Sequence, residues 1–455
     1  MKTLFSLMAI LLVASQLLTA CGSSVMEQAT VPPETTATTA KPAGEGILIS
    51  TSLASSSDLT PTLTPTPLSG NDLVVNRTDY RDRLRAFWLS ESIANWTGLQ
   101  SEGMRTWEPY YTDNDWSRRN FKFNVALDPF GSDDDTDIEY IYLHALDTYK
   151  TEILTGPQIR DQWLEHIDGS YVWVSDETAY WLMVDNGMVP PDTSLPVNNP
   201  NWEMIDAQLT TESFGFYAPA RPTVALAMGQ LPVRTTAYGD AAYAAQFYII
   251  MYSLAPYAIA NIHDTNGNGS AYDEQVFWLA AQARSRTPSD SYIAKIYDWV
   301  LDAYNNNPDK NNWEVTRDAF HDHYIAQSND GYLHTQWWDS GSNFGLSMIS
   351  LMFGQGDLKR TVQIAMLSGM DSDNPTSTWG GLLGFLYGYK GVQEAYNYYN
   401  FSDIYWIGRT RVNFPAYDTF TAMADRGVSV IDRVVVNQMG GSINGDNWII
   451  PNPGQ

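Results

Sequence analysis

Three consecutive carboxylates, Asp133, Asp134 and Asp135, run without a break into a segment whose apolar residues repeat at the spacing of one helix face. Ile138, Ile141, Tyr142, Ala145, Leu146 and Tyr149 form that stripe, so the acidic run is placed at the start of a core-facing helix. Like charges this close push one another's pKa upward, and a bound cation is what keeps all of them ionised. A second acidic pair, Asp371 and Asp373 in Asp371-Ser372-Asp373-Asn374, lies far along the chain, ahead of glycines spaced four apart. Either cluster taken alone also suits a helix N-cap, where Asp accepts backbone N–H groups and favours the helix dipole.

The other strong periodicities are helical too. They cover residues 80–94, 155–167, 290–305, 345–353, 358–367 and 422–436, with Thr155 and Asp290 read as caps. Residues 238–260 are apolar for long enough to raise a membrane span, but Gln246, Ser253 and Pro256 interrupt them, which favours a buried core helix. Alternating strand patterns are scarce. The expected fold is all-α, one large helical domain over residues 71–455.

The ends of the chain read differently. Met1-Lys2 and the apolar run 4–18 have the form of a secretory signal, and Leu18-Thr19-Ala20-Cys21 resembles the bacterial lipobox. Residues 1–20 are therefore expected to be a lipoprotein signal peptide, with lipid on Cys21 tying the protein to a membrane. Gly22 and Ser23 do not look like the Asp that retains such proteins at an inner membrane, so an exported protein at the cell surface or outer membrane is expected. Residues 21–70, rich in Thr, Pro and Ser, bury too little apolar surface to fold and read as a disordered tether. Cys21 is the only cysteine, which excludes an intrachain disulfide and cysteine-based zinc or nucleophile chemistry. A formal charge of -26 without Lys or Arg clusters argues against nucleic-acid binding. A monomer is expected.

Hard carboxylate and amide oxygens, with no His pair at helical spacing, favour Mg, Mn or Ca over Zn. Asp133, Asp134, Asp135, Asp371 and Asp373 together exceed what one ion neutralises, so two ions fit better. Two other motifs are read as incidental. Asp264-Thr265-Asn266-Gly267-Asn268-Gly269 begins like an EF-hand loop but meets Gln275 at the twelfth position, which makes it a polar turn. His321 and His323 stand apart around a helix and are expected at the surface or behind the site.

Three stretches, in this order, resemble the ADP-ribosylglycohydrolase family. Residues 86–102, AFWLSESIANWTGLQSE, align without a gap to the family's opening helix, with Gly98 and Glu102 matching and Ala94-Asn95 in place of Gly-Asp. Asp133-Asp134-Asp135-Thr136 stands for its T-D-D-T. Asp371-Ser372-Asp373-Asn374 with Gly380, Gly384 and Gly388 stands for its D-T-D-T and phased glycines. Residues 208–222 are similar to its central substrate-side segment. The resemblance implies an all-α hydrolase that cleaves glycosidic bonds to ADP-ribose, acting on a small molecule or an ADP-ribosylated substrate. It implies two Mg2+ ions, with Mn2+ as a substitute, held by Asp133, Asp134, Asp135, Asp371, Asp373 and Asn374. Glu102, Asp134 and Asp135 are implied for catalysis, and Trp379 is a candidate for stacking on the substrate. Asp133 replaces a usual hydroxyl residue, and so does Asn374. Two other readings stay open: a lipoprotein that binds ADP-ribose or a nucleoside without cleaving it, and an α/α-toroid glycan hydrolase.

Overall fold

The computed structural model describes residues 71–455 apart from Ser132, Asn268, Arg409 and Thr410. The expected signal peptide, Cys21 and the tether lie outside the described residues.

Strand β1 (Leu73–Asn76) hands the chain to helix α1 (Arg77–Gly98), whose start is fixed by Asn76 accepting the Asp79 N–H at 2.9 Å. The short α2 (Asp113–Arg118) precedes α3 (Asp134–Thr148), which Asp133 caps. A reciprocal Thr155–Gln158 capping box opens α4 (Gly156–His166), and α5 (Val174–Asn186) ends at Gly187 in the left-handed region. Next come α6 (Asp206–Thr210), α7 (Phe214–Tyr217), α8 (Pro222–Thr236) and the long α9 (Gly239–Asn261). After α10 (Tyr272–Arg284), α11 (Tyr292–Asn306) and α12 (Trp313–Phe320), a π-helical turn (His321–Ala326) and a loop lead to α13 (Ser340–Gly354). Two more helices follow, α14 (Leu358–Leu367) and α15 (Asp373–Tyr396). Strands β2 (Ile404–Trp406) and β3 (Tyr417–Thr419) pair antiparallel ahead of α16 (Phe420–Asn437), and β4 (Ser442–Asn444) and β5 (Asn447–Ile450) complete the series.

The domain is all-α apart from these short strands. β5 lies between β1 and β4, with Leu73 opposite Ile450 and Asn76 opposite Asn447, so the two ends of the described chain are stitched together. α9 is buried on nearly every side, as expected of a core helix, and no described helix is long and apolar enough to cross a membrane. One cap differs from the sequence reading: Ser291, not Asp290, accepts the Ala294 N–H and starts α11.

The contact that positions the site is the antiparallel pair α1 and α15, the most extensive helix pairing in the molecule. Its centre has room only for glycines and small side chains. A Cβ on Gly380 would lie 2.8 Å from the Ser90 carbonyl oxygen, one on Gly384 2.7 Å from that of Ala86, and one on Gly98 2.7 Å from that of Ser372. Glycines four residues apart thus bring the helices to backbone contact. The C-terminal end of α1 and the N-terminal end of α15 meet there, and the acidic residues sit at that junction.

Candidate metal centre

Asp133 and Asp135 reach the junction from the start of α3, and Asp371 and Asp373 from the start of α15. Glu102 comes from the turn that follows α1. Oxygens of Asp133, Asp135 and Asp373 lie within 4.8 Å of one another, as do those of Glu102, Asp371 and Asp373. Asp373 belongs to both sets. Asp133, Asp135 and Asp373 are buried, whereas Glu102 and Asp371 are half-buried, so the second set faces the way in from solvent.

The donors suit a hard cation. Oδ1 of Asp135 and Oδ1 of Asp373 are buried without a hydrogen-bond partner among the described residues, an arrangement that costs free energy unless a cation or proton satisfies it. Oδ2 of Asp135 accepts from Asn95 Nδ2 at 3.2 Å. Burial, and then the charges of the neighbouring carboxylates, push Asp135, Asp371 and Asp373 well above the usual carboxylate range. A bound cation opposes both effects.

Not every residue implied by the sequence joins the sets. Asp134 is half-buried on the first turn of α3, its N–H on Asp133 Oδ1 at 3.1 Å, and belongs to neither set. Successive helical residues diverge by about 100°, so three adjacent acids do not share one face. Asn374 is buried beside the centre with its Oδ1 accepting from Gln208 Nε2 at 3.3 Å, which ties the central segment to the second acidic motif. Trp379 is corrected outright. It is fully buried, donates its indole N–H to the Ser347 carbonyl at 2.8 Å and packs edge-on against Tyr248, so no substrate reaches its ring.

Beneath the centre lies a layer of acids that the sequence reading missed. Glu91 on α1, Glu139 on α3 and Glu212 before α7 are all buried. Glu139 accepts the Ser213 N–H at 2.7 Å, and Glu212 accepts the Thr378 hydroxyl at 2.8 Å. The Oε2 of each has no hydrogen-bond partner among the described residues. The available signal was register: Glu91 precedes Asn95 by one turn and Glu139 follows Asp135 by one turn, on the same helix faces. Burial raises all three, Glu212 to about 7.

That shift has a measurable sign. The Glu212 carboxyl keeps its proton in the folded protein at a pH where an unfolded chain has released it. Its contribution to stability is therefore whole below the ordinary value of 4.5 and is lost as pH rises to about 7. In EDTA the melting temperature should fall across this window, and Glu212→Gln should recover about 5 °C at neutral pH. Identical pH slopes for the two proteins would remove Glu212 as the cause.

One acid near the centre has its cation built in. Asp137 pairs with Arg411 at 2.9 Å, both side chains wholly buried, while the rings of Tyr140 and Tyr405 lie 4.6 and 4.8 Å from the guanidinium. Neither incidental motif contributes a residue to the two carboxylate sets. Asp264 accepts the N–H groups of Gly267 and Gly269 at 2.6 and 2.8 Å, closing a polar turn. His321 is buried against Tyr110, and half-buried His323 stacks on Trp299.

Fold and site together define a helical protein built around a buried carboxylate centre. The family model described as ADP-ribosylglycohydrolase matches residues 76–432. Among solved structures, an ADP-ribosylglycohydrolase-related protein complex is similar at 11% identity and a TM-score of 0.45, covering 78% of this chain and 98% of that one. No curated protein matches. The chain belongs to the ADP-ribosylglycohydrolase family.

Proposed function

We propose that the chain hydrolyses a glycosidic bond to ADP-ribose, or to a related nucleoside derivative, at a magnesium-dependent centre. The observation that carries this reading is the pair of carboxylate sets sharing Asp373 in a member of this family. Asp133, Asp135, Asp371 and Asp373 would hold the magnesium, which when bound supplies charge to polarise water and to orient ribose hydroxyls. Glu102, on the half-buried side, would accept the proton of the attacking water as oxocarbenium character develops at the anomeric carbon. The substrate is a small molecule or an ADP-ribosylated side chain, and the protein acts as a monomer.

The test is release of free ADP-ribose from ADP-ribosylated arginine, serine or DNA, with Mg and with EDTA. Release that depends on Mg is expected. Binding of ADP-ribose without release under any condition would favour the non-catalytic reading instead.

We also propose that the protein is exported and held to a membrane by lipid on Cys21. Cys21→Ser should move it from the membrane fraction to the soluble fraction. A variant still retained by the membrane would mean that the anchor is elsewhere.

A further inference from the structure

In the loop before α13, an imidazole is already oriented by a buried carboxylate. His334 Nδ1 lies 2.9 Å from Asp339 Oδ2, with side chains 10% and 3% exposed. Asp339 caps α13 and does not need the histidine to be satisfied. Its Oδ1 accepts from the Tyr332 hydroxyl and from the N–H and hydroxyl of Ser342, and its Oδ2 accepts the N–H groups of Thr335 and Gln336. Burial raises the Asp339 carboxyl, but the hydrogen bond and charge of His334 outweigh it with the hydroxyl donors and leave it below the ordinary range. An ionised carboxylate only accepts, so Nδ1 carries a proton toward Asp339. Nε2 is then the ring nitrogen on the side away from Asp339.

Three contacts connect the dyad and its loop with the segments that carry Glu102 and Asp371. Asn343, one turn into α13, donates to the Asp339 carbonyl at 2.8 Å and accepts the Asp371 N–H at 3.1 Å. Trp337 lies between the dyad residues in sequence, and a Cβ on Gly103, the neighbour of Glu102, would meet its ring at 3.3 Å. The ring of Trp107, from the same loop as Glu102, stands edge-on 6.2 Å from His334. Besides Asp339, the titratable groups facing the imidazole are Tyr332 and the buried His321, which Arg317 also faces.

We propose that His334 protonates the leaving group, a role that rests on the glycosidic-bond reading above. As the bond from the anomeric carbon to the leaving nitrogen or oxygen breaks, the leaving atom takes the bonding pair and the proton from Nε2. Water adds its oxygen to the anomeric carbon and gives a proton to Glu102. Return of that proton through solvent to the imidazole restores both groups, so the net reaction is hydrolysis. The general-acid step accounts for a His–Asp pair whose cap is complete without it.

The experiment uses the full chain with Mg and two ADP-ribosides that differ in leaving group, arginine-linked and p-nitrophenyl-linked. His334→Gln should lose about 100-fold or more in kcat on the arginine-linked substrate and less than about 5-fold on the other, whose phenoxide leaves without a proton. Added imidazole should restore part of the activity of His334→Ala. Equal losses on both substrates, or no loss on either, would overturn the role of His334 while leaving the centre's function standing. If the wild-type protein cleaves neither riboside, the glycosidic-bond reading fails and this one fails with it.

Discussion

Asp373→Asn should reduce Mg affinity by at least about 100-fold and bring metal-dependent ADP-ribose release to background, while the metal-free variant melts at a higher temperature than wild type. The opposed signs follow from the geometry. Among the described residues, Asp373 is the one carboxylate that belongs to both sets, so its charge serves any cation placed in either. Without a cation that same charge is a liability, because burial and the neighbours Asp135 and Asp371 already oppose ionisation. Asparagine keeps the shape and removes the charge. Calorimetry with Mg and melting curves in EDTA read the two halves separately, and unchanged Mg affinity would sink the shared-ligand reading. Asp134→Asn is the comparison. A loss as large as that of Asp373→Asn would restore Asp134 to the ligand set that the sequence alone suggests.

Arg411→Met should cost about 3–5 kcal/mol of folding stability, because it leaves the Asp137 carboxylate buried opposite an apolar side chain. Removing one partner of a buried pair is far worse than removing both, so Asp137→Asn with Arg411→Met should recover a large part of the loss. Denaturant unfolding in EDTA measures this apart from metal binding. The effect should spread to the centre, since Asp137 sits two residues past Asp135 on α3. A single variant within about 1 kcal/mol of wild type would show that the pair contributes little.

The sequence was most informative where periodicity and backbone contact govern. The stripe from Ile138 to Leu146 and the glycines of α15 each have one geometric solution, and those solutions bring the two acidic motifs together. It was least informative where a single residue's orientation decides. Trp379 follows an acidic motif and suits a ligand contact by type, but α15 turns it into the core. Glu91 and Glu139 each stand alone within apolar runs, and nothing in composition separates a buried acid from one on a solvated face. His334 and Asp339 are five apart in a loop without periodicity, so only the folded chain shows them paired. Among the three acids at the start of α3, Asp133 stands on the extended N-cap and Asp135 on the first turn, and only the folded chain shows that these two share a set without Asp134.

Along the glycine seam, α1 and α15 are held apart only by backbone and by the small side chains of Ser90, Ala94 and Thr376. Asp373 begins one of these helices and Glu102 follows the other by a single turn. Their spacing is thus set by the helix pair, and exposed positions past Glu102, such as Trp107, can change while the carboxylates keep their places. In a chain built this way, what is recognised can diverge faster than the chemistry performed on it.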